Sequence, residues 1–134
     1  MNQLSSDTVL YRAITKKGWL NPDNKAIDLE AFKLQFKRKI GNYEKALSAA
    51  LTPEDSYNRL SQCFGVICFT VGDIRKLGLD AILDKPDRVS ITNLPHPEIN
   101  EKEATDIAGK LARKAWLFYD WLDKPYRKRW LVVH

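Results

Sequence analysis

The sequence is poor in the residues that build metal and redox sites. Its 134 residues include two cysteines, Cys63 and Cys68, and two histidines, His96 and His134. Their spacing does not match that of zinc ligands, and the apolar neighbours of Cys68 predict a buried thiol. Glycine-rich phosphate loops, zinc-protease helices and serine-hydrolase motifs are also missing. We therefore predict no metal, no cofactor and no catalytic residue that a motif identifies, which leaves enzymatic activity uncertain.

Long apolar segments are missing as well. The longest apolar run, residues 63–69, is far shorter than the roughly 18 residues that cross a membrane. The first seven residues are polar and do not resemble a secretion signal. We therefore expect a cytoplasmic protein without a membrane partner. Hydrophobic residues nonetheless make up 44% of the chain, which is enough for a single folded domain spanning residues 1–134.

The positive charge is concentrated at the two ends of the chain. Residues 1–49 carry nine basic and five acidic side chains, and residues 110–134 carry seven basic and two acidic ones. The segment between them carries six basic and ten acidic side chains, so the net charge of +5 is the sum of two basic ends and an acidic middle segment. Such an asymmetry is typical of proteins that contact an acidic partner, which makes both basic ends candidate contact surfaces.

Short apolar runs with the period of a strand alternate with turn sequences. Residues 8–14 and 65–69 are predicted to be strands, and residues 79–94 are predicted to form a hairpin around a central turn. Residues 27–40 fit a helix and a strand equally well. Residues 46–51 also fit either structure, so the sequence leaves both segments open.

Three positions have the sequence of a helix start. Thr52, Thr70 and Asn100 each provide a side chain that can accept a hydrogen bond from the free N–H groups of a first turn. After Asn100, apolar residues continue at helical spacing to Phe118. The sequence thus predicts an α+β fold: a small, largely antiparallel sheet with helices on one face and a long C-terminal helix.

The strongest candidate for a binding surface is the end of the chain, where cations alternate with aromatic rings. Cations neutralise phosphates and rings stack on bases, so this mixture is typical of single-stranded nucleic-acid binding. Residues 123–134 are predicted to form a basic-aromatic C-terminal tail. The candidate binding residues are Lys110, Arg113, Lys114, Trp121, Tyr126, Arg127, Lys128, Arg129 and Trp130. A structural explanation stays open, since cations suit a helix C-terminus and tryptophans fill cores.

The favoured hypothesis is a small non-enzymatic binding module for RNA, single-stranded DNA or an acidic protein. An accessory subunit of a bacterial protein complex is the first alternative, because aromatic residues and arginine also anchor protein interfaces. The second alternative is an enzyme acting on an anionic or nucleotide substrate, with Tyr11, Arg12 or His96 in its site. Another basic cluster lies within residues 33–45, and the sequence leaves open whether it shares a face with the C-terminal cations.

Overall fold

The computed structural model describes residues 4–128, in which ten short strands and three α-helices follow one another. The strands are β1 (Val9–Ala13), β2 (Phe36–Lys37), β3 (Asn42–Tyr43), β4 (Leu47–Ala49), β5 (Gln62–Cys63), β6 (Gly65–Thr70), β7 (Asp80–Lys85), β8 (Arg88–Thr92), β9 (Trp116–Asp120) and β10 (Tyr126–Arg127). The helices are α1 (Pro53–Tyr57), α2 (Val71–Arg75) and α3 (Glu101–Lys114). Short 3₁₀ turns lie at Lys17–Trp19 and Leu29–Phe32.

The strands pair antiparallel throughout the described residues, and they form several small sheets. One sheet has the order β1–β6–β9 and another the order β4–β8–β7, while β2 pairs with β3 and β5 pairs with β10. A bridge between Tyr11 and Ala50 links β1 to the end of β4 and so joins the two three-stranded sheets. The predicted α+β class and the antiparallel pairing are confirmed, whereas the one small sheet is replaced by several.

β6 is buried on both faces, which explains why its sequence is a continuous apolar run. Ile67 and Phe69 belong to the larger apolar cluster, which includes Leu111 of α3. Val66 belongs to a smaller cluster, against which Tyr57 of α1 packs. Because neighbouring strand residues point to opposite sides, helices cover both sides of this sheet. The prediction of helices on one face is therefore wrong.

The three helix starts are confirmed at the predicted residues. Thr52 and Thr70 each accept, through Oγ1, a hydrogen bond from the N–H three residues further on. Asn100 accepts from the N–H of Glu103 at 3.1 Å, and its side-chain amide donates to the Glu103 carboxylate at 3.0 Å. These reciprocal bonds satisfy donors that a helix N-terminus would otherwise leave free.

The long C-terminal helix is not confirmed. α3 is 14 residues long and ends at Lys114, and Ala115 already has an extended backbone. The next residues form β9, which pairs with β6. Aromatic side chains favour strands, and β9 pairs backbone groups of β6 that a longer helix would leave without partners. Sheet pairing therefore overrides the helical spacing that continues to Phe118.

Replacing Gly65 with alanine is expected to destabilise the junction of β6 and β9. A Cβ atom at this position would lie 2.5 Å from the main-chain oxygen of Tyr119, inside the paired region. We expect the free energy of unfolding, measured by urea denaturation, to fall by about 1–3 kcal/mol. Gly18→Ala is the matched control, because nothing lies within 4 Å of its Cβ position. Equal stabilities of the two variants would contradict this packing.

Candidate functional site

A slot opens where β1 and β4 diverge. The bridge between Tyr11 and Ala50 is not followed by a further pair in the described chain, although both strands continue. In a continued ladder Ala13 would face Ser48, but both residues line the slot instead. The slot has two lobes, of about 220 and 260 Å³. The residues that line both lobes are Ala13, Ser48, Ser56 and Leu60.

The smaller lobe, which we call the Arg12 lobe, is built around a buried arginine. Arg12 is 8% exposed. Its Nε donates to the main-chain oxygen of Ala31 at 2.8 Å, and its Nη1 donates to that of Ser48 at 2.8 Å. The guanidinium carbon lies 5.4 Å from the centre of the Trp19 ring. The planar fork of Arg12 thereby ties β1 to β4 and to the 3₁₀ turn that contains Ala31.

The charge of Arg12 is not neutralised by an ion pair within residues 4–128. Burial lowers the pKa of Arg12 to about 10, and the nearby Glu44 opposes this fall, so the group is protonated at neutral pH. Glu44 itself pairs with Lys37, with 3.7 Å between Nζ and Oε2. A buried charge without an ion pair costs several kcal/mol, and the two carbonyls, the Trp19 ring and the nearby Glu44 offset only part of that cost.

The open side of the Arg12 lobe is polar and positively charged. Lys16 and Lys37 add two cations to that of Arg12, and Glu44 is the acidic side chain among the described residues that line the lobe. Gln35 adds a neutral amide. This lining offers several hydrogen-bond donors to a negatively charged group, and it excludes a ligand whose only charge is positive.

The larger lobe, which we call the Tyr11 lobe, is polar, and the two arginine and two aspartate side chains of its described lining balance in charge. Arg59 forms an ion pair with Asp87, and Arg88 binds Asp84 through both carboxylate oxygens. Asp55 also lines this lobe, and the described residues give its carboxylate no ion pair. The remaining polar groups of the lining are the side chains of Tyr11, Ser48 and Ser56.

Tyr11 and Arg12 line the two lobes of one slot, whereas His96 lies outside the slot. The His96 ring packs against that of Tyr43, with 4.8 Å between ring centres, and its Nδ1 accepts a hydrogen bond from the Glu98 N–H. Neither lobe is lined by any residue of the loop that holds His96. The other lining residues escaped sequence reasoning, because they come from segments far apart in the chain and share no motif.

The basic end of α3 borders a second groove. Lys110 is paired with the aspartate four residues before it, with 3.1 Å between Nζ and Oδ2. Arg113 lines a groove of about 530 Å³ together with Lys25 and Trp116. Lys114, at the last helical position, is exposed. The structure therefore places one candidate cation, Arg113, in the same groove as Trp116, which is 43% exposed.

Two of the candidate aromatic residues are used for packing. The Trp121 ring stacks on Tyr119 at 4.8 Å and on Tyr126 at 5.7 Å between ring centres. Trp121 and Tyr126 thus pack against the smaller apolar cluster and are only partly exposed. In this part of the chain the more exposed rings are those of Trp116 and Phe118, which were not among the sequence candidates.

Part of the predicted tail over residues 123–134 is a strand. Tyr126–Arg127 pairs with β5, and the N–H of Lys128 donates to the Ser61 oxygen at 3.0 Å. The side chains of Arg127 and Lys128 are exposed. Arg129 and Trp130 lie outside the described residues.

One member of the basic cluster within residues 33–45, Lys33, meets α3 at its acidic end. Lys33 is 9% exposed, and its Nζ lies 2.5 Å from Oε1 of Glu101 in the first turn of α3. This hydrogen bond raises the pKa of Lys33 and lowers the pKa of Glu101. Arg113 follows Glu101 by more than three turns, a distance of about 18 Å at 1.5 Å per residue. Lys33 therefore lies a helix length away from the C-terminal cations.

The described residues contain no group of three or more histidine, cysteine or acidic side chains placed to hold a metal ion. No helix among them is long and apolar enough to cross a membrane. Cys63 and Cys68 are free and buried. Burial raises the pKa of both thiols, to about 11 for Cys68.

No protein-family model, no curated protein and no solved structure matches this chain.

We expect both cysteines to be unreactive in the folded protein. The thiolate is the reactive form, and burial keeps Cys63 and Cys68 protonated and inaccessible at mildly alkaline pH. A chromogenic disulfide reagent should therefore release almost no colour from the native protein. The same reagent should titrate both thiols in urea. Rapid reaction of either thiol in the native protein would contradict the buried position of that cysteine.

Proposed function

We propose that the protein binds a small anionic ligand in the slot, with the guanidinium of Arg12 as the main contact. The observation that carries this proposal is a protonated, buried arginine that forms no ion pair in the described chain, on the wall of an open lobe. A phosphate or carboxylate group entering the Arg12 lobe supplies the missing counter-charge. Arginine suits this role because its planar fork matches both groups geometrically.

The hydrogen bonds within the protein leave donors of Arg12 for a ligand. Its two bonds to main-chain oxygens engage Nε and Nη1, and a guanidinium group has five N–H donors in all. Lys16, which forms no ion pair among the described residues, adds positive charge to the lining of the lobe and so attracts an anion before it reaches the guanidinium. Such a site binds its ligand without any catalytic group.

Inorganic phosphate is the probe for this proposal. We expect added phosphate to shift the Nε–H resonance of Arg12 saturably in nitrogen–proton correlation spectra, and sodium chloride to weaken the binding. Lys16→Ala is expected to lower the affinity about threefold, which is typical of losing one partly screened charge. Lys76→Ala is the control, because Lys76 caps the end of α2 and does not line the slot. Slot resonances that do not respond to phosphate would overturn the proposal.

A second candidate function is the binding of single-stranded nucleic acid at the groove beside α3. One observation favours it, namely that Lys25 and Arg113 line the same groove as the exposed ring of Trp116. Cations beside an accessible ring bind phosphates while the ring stacks on a base. This version of the C-terminal hypothesis relies on Trp116, since Trp121 and Tyr126 stack on each other.

The salt dependence of binding to labelled single-stranded RNA and DNA tests this candidate. Replacing Lys110, Arg113 and Lys114 together with alanine should lower the affinity. The slope of log K against log salt should become shallower by about 2, at roughly 0.7 for each phosphate that the variant no longer neutralises. Lys102→Ala, in the first turn of α3, is the control. An unchanged slope in the triple variant would remove this candidate and leave the anion slot unaffected.

A further inference from the structure

The two lobes of the slot differ in charge although they share a wall. The Arg12 lobe is lined by Arg12, Lys16 and Lys37 against a single acidic side chain, that of Glu44, among the described residues. The Tyr11 lobe has equal numbers of arginine and aspartate side chains in its described lining. Ser48 and three further residues line both lobes, so the lobes adjoin. For a ligand that reaches from one lobe into the other, the charge pattern favours an anion at one end and no second anion at the other end.

The Tyr11 lobe is lined by groups that recognise hydroxyls. The Asp55 carboxylate has no ion pair in the described chain, so it is an available acceptor. Ser56 already donates its hydroxyl proton to the Pro53 oxygen at 2.6 Å, which leaves its own oxygen as an acceptor. The hydroxyls of Tyr11 and Ser48 can donate as well as accept. This set complements a neutral group that carries several hydroxyls.

We infer that the slot binds a phosphorylated sugar, with the phosphate in the Arg12 lobe and the sugar in the Tyr11 lobe. The inference rests on the anion-binding function proposed above and adds the second half of the ligand. The sugar hydroxyls donate to Asp55 and Ser56, and the phosphate oxygens accept from the guanidinium of Arg12. The same chemistry occurs in free sugar phosphates and in the ribose 5-phosphate unit of a nucleotide.

A ligand that is anionic at both ends fits the slot less well. A second anion in the Tyr11 lobe would meet the carboxylate of Asp55 while Arg59 and Arg88 are already paired with aspartates. A neutral hydroxylated group avoids this repulsion, and it satisfies the polar lining that a ligand would otherwise separate from water.

Calorimetric titration of the intact protein with four probes tests this inference: inorganic phosphate, ribose 5-phosphate, AMP and adenosine. We expect ribose 5-phosphate to bind about tenfold more tightly than phosphate, and adenosine to bind far more weakly than AMP. AMP binding more tightly than ribose 5-phosphate identifies a nucleotide as the source, and equal or weaker binding identifies a free sugar phosphate. Phosphate binding as tightly as both phosphorylated sugars would overturn this inference while the anion site stands. Failure of every probe, phosphate included, would overturn both.

A pair of neighbouring variants separates sugar recognition from folding. Asp55→Asn should remove most of the tenfold preference for ribose 5-phosphate over phosphate and leave the affinity for phosphate itself unchanged. Glu54→Gln is the matched control, because it removes the same charge from the same helical turn but does not line the slot. An identical preference for ribose 5-phosphate in the two variants would contradict the placement of the sugar beside Asp55.

Discussion

The guanidinium of Arg12 connects three segments that are far apart in the chain, and the slot depends on those connections. In a regular antiparallel ladder the Ser48 carbonyl would accept from the β1 backbone two residues beyond Tyr11. It accepts instead from Nη1 of Arg12, while Nε is bound to Ala31. The strands are thus joined by a side chain where their backbones separate. The guanidinium that replaces the missing ladder bond also brings to the slot a positive charge that has no ion pair in the described chain.

The parts of the fold that sequence reasoning predicted are those fixed by neighbours in the chain. A cap such as Asn100 bonds to residues within one turn, so its signal is complete in a few letters. The ambiguous residues 27–40 contain an isolated bridge at Ile27, a 3₁₀ turn and the two residues of β2, and the buried Ala31 and Phe32 of that turn pack in the larger apolar cluster. The structure of Trp116–Asp120 was set by the edge of β6, which lies some fifty residues earlier and leaves no mark on local spacing.

The candidate site was predictable to the same limited extent. An arginine beside a tyrosine on the first strand already suggested an interaction with a phosphate or carboxylate, and both residues do line the slot. Successive strand residues point to opposite sides, so one dipeptide reaches two different lobes. No local pattern indicated that Arg12 is buried, nor that Asp55 lies in the neighbouring lobe. The first fact depends on tertiary contacts of Arg12 with Trp19, Ala31 and Ser48, and the second depends on α1 packing against β1.

The amino-acid composition indicates the C-terminal cations as the binding surface, whereas the structure indicates Arg12. The distribution of charge explains this difference. The C-terminal cations dominate the net charge, yet Lys110 is already paired and its exposed neighbours act through water, where salt screens them within about 8 Å. Arg12 adds one unit to that sum, but it acts from an environment that screens it far less. Lys33 is likewise buried, and it is neutralised by Glu101. Among the described residues, a charge that is both buried and unpaired therefore acts more strongly on a small ligand than several exposed charges do. The arrangement of the cations, and not their number, thus favours the slot as the binding site.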